Sequence, residues 1–250
     1  MADASLLLEA REVTVRFGGL TAVDAVSMQL HAGELVGIIG PNGAGKTTFF
    51  NALSGVVAPT GGHLFAEGVE LTGRGPHRYA AHGIARTFQT PRVMADMSLA
   101  DNVRFGMEFA GRRREPIAGL RDEGEILDML GLATLADRLA SEVTPSQQRL
   151  LEIGMALGTR PRVLLLDEVA AGLTEAEVDA MARRIRRLRD EHGLTVVWIE
   201  HAVTTLLQYV ERVLVLHQGR KIADDTPGEV VRNAEVVEAY LGDEMVEVAP

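Results

Sequence analysis

The chain has no cysteine among its 250 residues, which excludes disulfides and thiolate metal sites. No run of apolar residues in the sequence approaches the roughly 18 that span a bilayer, so no transmembrane helix is expected. A basic start followed by an apolar stretch is also missing, which argues against a secretory signal peptide. Positive charge is in deficit: 25 Lys and Arg against 35 Asp and Glu leave a net charge of −10. Broad nucleic-acid binding needs a basic footprint, so no nucleic-acid partner is expected. Internal repeats and low-complexity tracts are absent too. What remains is an ordinary globular composition, 46% hydrophobic and 24% charged. The length suits one large α/β domain, or a domain with an inserted subdomain.

Gly40-Pro41-Asn42-Gly43-Ala44-Gly45-Lys46-Thr47-Thr48 fits the phosphate-loop pattern G-x-x-x-x-G-K-[ST]. Leu35–Ile39 before it reads as a strand buried on both faces, and the residues from Thr47 onward read as a helix start. Glycines let backbone N–H groups close around the β- and γ-phosphates, and a helix N-terminus adds partial positive charge. Lys46 can reach the β- and γ-oxygens, and the Thr47 hydroxyl can sit on Mg²⁺. The bland alternative is a Gly-rich turn that happens to carry a lysine; strand and helix on either side disfavour it. A nucleoside triphosphate is the expected ligand.

The pattern elsewhere is α/β. Leu6–Phe17, a Gly18-Gly19 break and residues 23–30 alternate like antiparallel strands, and Pro59-Thr60-Gly61-Gly62 opens a second hairpin region. Residues 98–139 change to helical periodicity, with Ile126, Leu127, Leu130, Leu132 and Leu135 as apolar positions. Residues 162–166 and Thr195–Ile199 are expected as buried strands around a helix at Glu175–Asp190, and a hairpin turning at Gln218-Gly219 follows. Apolar strands separated by helices imply a mostly parallel sheet with helices on both faces. Residues 93–154 read as a helical insertion into a core of residues 1–92 and 155–250. Arg183, Arg184, Arg186, Arg187 and Arg189 follow Glu175, Glu177 and Asp179 along one helix, an order that complements its dipole. That run reads as a solvated face rather than a phosphate or lipid patch. Arg112-Arg113-Arg114 reads as a solvated loop.

A second chemical signal is Leu164-Leu165-Leu166-Asp167-Glu168. An apolar strand ending in acids delivers carboxylates to the sheet edge where open α/β folds bind ligands. Asp167 would hold the Mg²⁺ shell and Glu168 could polarise the attacking water. Two acids that merely cap the next helix are the alternative. His201 follows the strand Thr195–Ile199 and Glu200, so it is expected at the same edge, where an imidazole can donate to the γ-phosphate or to water. Gln89, in Arg86-Thr87-Phe88-Gln89-Thr90-Pro91, could reach both metal-bound water and the helical insertion.

In this order the elements resemble the nucleotide-binding subunit of an ABC transporter, over essentially the whole chain. The resemblance implies a RecA-like P-loop NTPase core with an N-terminal antiparallel β-subdomain and an inserted α-helical subdomain. It implies that Phe17 stacks on adenine, that residues 40–48 are the Walker A loop, and that Gln89 is the Q-loop residue. Asp167 and Glu168 become the Walker B end with its catalytic glutamate, Ala171-Gly172-Leu173-Thr174 the D-loop, and His201 the switch histidine. Such subunits work as head-to-tail pairs, homodimeric or heterodimeric, that sandwich two ATP molecules beneath membrane permeases. The implied location is therefore peripheral, at the cytoplasmic face of the inner membrane.

Within that family the stretches 15–23, 85–89, Arg149-Leu150-Leu151-Glu152-Ile153, 170–173 and 237–242 are similar to the branched-chain amino acid (or related amide or urea) uptake subset. A lipopolysaccharide-export subset ends in a similar tail. The chain departs from the family at its signature, where Leu-Ser-Gly-Gly-Gln is replaced by Val143-Thr144-Pro145-Ser146-Gln147. Thr144 can cap a helix, Pro145 suits its first position, and Gln147 completes a capping box. A helix N-terminus should thus still face the partner's γ-phosphate, with Thr144, Ser146 and Gln147 lining it. Ser146 adds a Cβ, however, and Pro145 removes a donor. Three readings result: an ATPase driving a permease, a soluble ABC ATPase, and a low-activity regulatory half-site working in a heterodimer. The soluble class usually carries two nucleotide domains or a long coiled coil, and this chain has neither.

Overall fold

The computed structural model describes residues 5–110, 115–200 and 202–240. The chain begins with three strands, β1 (Leu6–Phe17), β2 (Leu20–His31) and β3 (Leu35–Ile39), followed by helix α1 (Lys46–Leu53). Then come β4 (Gly61–Ala66), β5 (Val69–Glu70), α2 (Pro76–Ala81) and β6 (Ile84–Arg86). Three helices follow: α3 (Leu99–Phe109), α4 (Glu123–Met129) and α5 (Pro145–Gly158). The rest is β7 (Val163–Asp167), α6 (Glu175–Asp190), β8 (Thr195–Ile199), α7 (Val203–Tyr209), β9 (Arg212–His217), β10 (Arg220–Asp225), α8 (Pro227–Val230) and α9 (Ala234–Tyr240).

Two sheets form. The first is antiparallel, in the order β2-β1-β4-β5, and its hairpin closes at Phe17↔Leu20 around Gly18, whose φ of +57° suits glycine. The second has the order β10-β9-β3-β8-β7-β6 and is parallel except for the β9–β10 hairpin. Its central strands are buried on both faces, as their unbroken apolar sequences require. Alternation sorts the side chains: Leu35, Ile39, Leu164, Leu166, Val196 and Trp198 join one core. Val36, Ile38, Val163, Leu165, Val197 and Ile199 join the other, with Phe49 and Phe50 of α1 and the antiparallel sheet.

The first core continues into the helical part. Leu99 and Val103 of α3, Ile126 and Leu127 of α4 and Leu151 and Ile153 of α5 share it with Met181 and Ile185 of α6. Helices α3 and α5 lie so close at Gly106 that a Cβ there would sit 2.2 Å from the Met155 carbonyl oxygen. Helix α5 runs on past residue 154 to Gly158, where its last turn packs against α3 at Val103 and Met107. The arginine run on α6 is solvated in part: Arg183, Arg186 and Arg187 are exposed, and Arg186 pairs with Asp190 and Arg187 with Glu191, one turn apart. Arg184 and Arg189 are instead half-buried, and Arg189 donates to the Gly33 carbonyl and pairs with Glu211. Helices α2, α7, α8 and α9 carry too little periodicity to be placed from sequence, and the described residues of 98–139 divide into two helices and one short 3₁₀ turn. Arg112, Arg113 and Arg114 lie outside the described residues.

Candidate active site

Strand register brings the loops together. Ile38 pairs with Ile199, and Ile199 with Asp167, so the chain leaves β3, β8 and β7 at one level of the same edge. The residues that emerge there are Gly40, Glu200 and Glu168. His201, the next residue after Glu200, lies outside the described residues.

The loop after β3 is built for an anion. Gly43 and Gly45 adopt φ of +78° and +95°, and a Cβ on Gly45 would lie 2.3 Å from the Ala22 carbonyl oxygen of β2. The β9–β10 turn supports the loop from behind, because Gly219 N–H donates to the Ala44 carbonyl at 3.0 Å. Helix α1 has Gly45 as its N-cap and no capping side chain. Its first N–H groups, at Lys46, Thr47 and Thr48, have no intrahelical acceptor, the arrangement that phosphate fills. The Lys46 ammonium is buried and donates to the carbonyls of Gly40 (2.6 Å) and Pro41 (3.1 Å). Burial holds its pKa below the ordinary lysine value, and the Glu168 charge opposes that shift. Phe17 is 52% exposed at the tip of the hairpin whose Ala22 abuts Gly45.

At the β7 end both acids are buried. Glu168 is in the left-handed region, φ +49°, and its N–H donates to Ile199 at 3.0 Å. The Gln89 amide donates from Nε2 to Glu168 Oε2 at 2.7 Å. Lys46, Gln89 and Glu168 thus converge, while Asp167 faces a residue to which the sequence assigns no role. Arg86 donates to Asp167 Oδ2 at 2.9 Å, to Asn51 Oδ1 at 2.7 Å and to Ser54 Oγ at 3.0 Å. Its guanidinium also stacks 4.7 Å from the Phe88 ring centre. Burial lowers the Arg86 pKa, and the Asp167 charge works against that. The acids do not cap the following helix: Thr174 does so, in a capping box with Glu177. Glu200 is buried and accepts from the Ala170 N–H at 2.7 Å, which fixes the segment after Glu168.

Helix α5 starts as its sequence requires. Thr144 N–H donates to Gln147 Oε1 at 2.9 Å, and Gln147 N–H donates back to Thr144 Oγ1 at 3.3 Å. Ser146 Oγ lies 3.0 Å from Thr144 Oγ1. One and two turns on, Arg149 donates to the backbone carbonyls of Gln89 and Glu168, and Glu152 accepts from the backbone N–H groups of Phe88 (3.3 Å) and Arg92 (3.0 Å). Sequence reasoning gave Arg86, Arg149 and Glu152 no task. Arg149 and Glu152 are three apart on a predicted helix, so their shared face was readable, but its partner was not.

Comparison with known proteins agrees with this geometry. Residues 23–171 match the ABC transporter family, and residues 220–246 match the family described as branched-chain amino acid ATP-binding cassette transporter. The high-affinity branched-chain amino acid transport ATP-binding protein BraF of Pseudomonas aeruginosa is 39% identical, over 95% of this chain and 98% of that protein. Its LivG counterpart in Escherichia coli strain K12 is 37% identical over the same shares. Among solved structures, an ATP-binding cassette of an ABC transporter in its ADP conformation superposes with a TM-score of 0.83 at 30% identity, over 95% of this chain and 99% of that one. A nucleotide-free cassette gives 0.82 at 28%, over 94% of this chain and 98% of that one. A phosphate loop, two acids on the neighbouring strand edge and relatives aligned almost end to end show that this chain belongs to the ABC transporter family, as an ATP-binding, ATP-hydrolysing cassette.

Proposed function

We propose that the chain energises an importer of branched-chain amino acids, or of a related small polar solute. The observation that carries the catalytic part of this reading is the hydrogen bond from Gln89 to Glu168 beside the buried Lys46. Residues 40–48 wrap the phosphates, Lys46 leaves its loop carbonyls to meet their charge, and Phe17 stacks on the base. Glu168 orients and polarises the attacking water, and Gln89 reports on whether that position is filled. His201 is assigned by its place in the sequence to the γ-phosphate. Among the described residues no group of three or more His, Cys, Asp or Glu could hold a metal. A single acid with one hydroxyl is nevertheless the protein share that suits Mg²⁺ when phosphates and water complete its shell. Thr47 and Asp167, with Gln89 through water, would hold the ion. When bound, Mg²⁺ neutralises charge that builds on the phosphate oxygens.

Two chains, identical or not, would pair head to tail, so that Thr144, Ser146 and Gln147 of one face the nucleotide of the other. Among the described residues no helix is long and apolar enough to cross a membrane, which suits a subunit held peripherally at the cytoplasmic face by its permeases. The permease would meet residues 89–99, where partly buried Val93, Met94 and Met97 join the Gln89 segment to the helical part. Reconstitution with the permeases and a binding protein tests the whole reading. Leucine, isoleucine or valine should stimulate hydrolysis, and Lys46→Ala should abolish nucleotide binding and stimulation together. Stimulation by none of these solutes would remove the cargo assignment. Crosslinks from Arg92 or Met94 into the permease are expected; crosslinks from another face would refute the docking site. The Pro145 and Ser146 substitutions favour one second reading, a weakened half-site that hydrolyses ATP against a partner's better signature.

A further inference from the structure

One helix reaches both residues that the proposed chemistry depends on. The guanidinium of Arg149, on the second turn of α5, donates from one nitrogen to the backbone carbonyl of Gln89 at 3.1 Å and to that of Glu168 at 3.2 Å. Three residues further, Glu152 is buried and takes the N–H groups of Phe88 and Arg92. The two side chains sit on one face of α5 and grip both sides of Gln89.

Glu168 has reason to need holding. A non-glycine residue at φ +49° is in a sparsely populated conformation, which persists only where its surroundings fix it. Its N–H is held by Ile199 and its carbonyl also accepts from Ala171 N–H at 3.2 Å. Both of those partners lie on the sheet or in the adjoining turn. Arg149 alone among these three ties the Glu168 backbone to α5, about one turn from the helix start that carries Thr144 and Ser146. Meanwhile the Glu168 carboxylate is held from outside by Gln89, whose own carbonyl Arg149 also grips. The guanidinium therefore closes a loop: Arg149 to Gln89 carbonyl, Gln89 amide to Glu168 carboxylate, Glu168 carbonyl back to Arg149.

We propose that Arg149 is a positioning residue for hydrolysis: by bridging the carbonyls of Gln89 and Glu168 it fixes where the Glu168 carboxylate stands relative to the attacking water. The inference rests on the reading of Glu168 as the residue that orients that water. Arg149 touches neither nucleotide nor water in this scheme and acts only through the two residues it holds. Loss of the bridge lets Glu168 relax toward ordinary backbone angles and shifts its carboxylate. A misplacement of about 1 Å at such a site costs on the order of 100-fold in rate. Nucleotide affinity is set by the phosphate loop and should stay where it is.

The test is a double-mutant cycle on the purified subunit, with single-turnover hydrolysis of radiolabelled ATP and equilibrium binding of a fluorescent ATP analogue as separate readouts. Arg149→Met should lower the hydrolysis rate on the order of 10- to 100-fold and leave the Kd for the analogue within about twofold. Arg149→Lys retains a cation that can donate to two carbonyls, and should recover most of the rate. Once Glu168 is already Gln, adding Arg149→Met should lower the residual rate by less than about threefold, because a positioning residue has nothing left to position. An equal loss in both backgrounds, or a Kd that rises with the fall in rate, would overturn the proposal. So would full activity of Arg149→Met. The underlying reading fails separately: if Glu168→Gln alone turns over normally, Glu168 is not the water-orienting residue, whatever Arg149 does. Melting curves on each variant separate these outcomes from loss of fold.

Discussion

Arg86 and Asp167 form an ion pair at 2.9 Å in which the side chains are only 11% and 5% exposed. The pair joins the ends of β6 and β7, and the same guanidinium reaches Asn51 and Ser54 on and beside α1. Its geometry therefore couples the helix that starts at the phosphate loop to the carboxylate expected to face Mg²⁺.

Breaking that pair from one side should be costly. Arg86→Met leaves the Asp167 carboxylate buried without its counter-charge, a change worth about 3–5 kcal/mol. Urea unfolding should show a midpoint lowered accordingly, with an unchanged slope. The double variant Arg86→Met with Asp167→Asn should lose less than the two single losses added together, because it leaves no unpaired charge. A loss below about 1 kcal/mol in Arg86→Met would mean that the pair behaves as an exposed one.

Glu168→Gln should bind ATP and hydrolyse it very slowly, since the amide keeps the shape of the side chain and loses the charge that draws a proton from water. The Gln89 amide still finds an oxygen to donate to, so the local fold should survive. The expected readout is an ATP-stabilised dimer on size exclusion, with the same chain or with a natural partner subunit. Turnover at the normal rate would reduce Glu168 to a structural acid.

Much of this was legible in the sequence, and the reason is local. The phosphate loop, the acids at the end of β7 and the capping box at Thr144 each depend on residues close together in the chain, so their spacing encodes their geometry. Helix α6 begins and ends where the sequence places it, at Glu175 and Asp190. What sequence could not show depends on long-range pairing. Arg86 meets Asp167 across 81 positions, and Glu152 meets Phe88 across 64. Nothing local to Arg86 names Asp167 as its partner, which comes only when β6 is seen beside β7. Likewise, nothing local to Glu152 names its partner, which comes only when the Gln89 segment is laid across α5. Short helices such as α7 and α8 were missed because seven and four residues are too few to show a 3.6-residue period.

Glu152 should prove structural and pH-sensitive. Burial raises its pKa above the ordinary 4.5, against the backbone N–H groups of Arg92 and Phe88, which favour the charged form. A raised acid pKa means that folding favours the protonated form. Its contribution to stability is therefore fully present below pH 4.5, declines as pH rises through the higher folded value, and stays lost above it. Glu152→Gln is neutral throughout, so its stability relative to the wild type should grow over that interval and then level off. Glu152→Ala removes the acceptor altogether and should cost about 1–3 kcal/mol, the penalty for orphaned buried donors. Thermal or urea melts of the three proteins across pH decide both points. A flat difference between Gln and wild type would show that the carboxylate carries no burial penalty.

The altered signature yields the last expectation. Thr144 and Gln147 cap α5 in the manner the sequence requires, so the helix start is intact and the departure from the family lies in Pro145 and Ser146. Proline at position 145 withholds a backbone donor from the helix N-terminus, and in the proposed head-to-tail pair the Ser146 Cβ would add bulk where a partner's γ-phosphate approaches. The double change Pro145→Gly with Ser146→Gly restores the donor and the clearance. One oxyanion-type donor is worth about 3 kcal/mol, whereas two added glycines loosen the free loop at about 1 kcal/mol each. The electrostatic gain is the larger, and it acts on the transition state, where charge on the transferred phosphoryl group is greatest. ATPase activity of the homodimer should therefore rise several-fold, with the Thr144 capping box still holding the helix end in place. Steady-state turnover at saturating ATP measures it. Activity that stays flat or falls would identify Thr144-Pro145-Ser146 as a clamp adapted to its own partner surface, in which the stiff proline supplies order that glycine cannot.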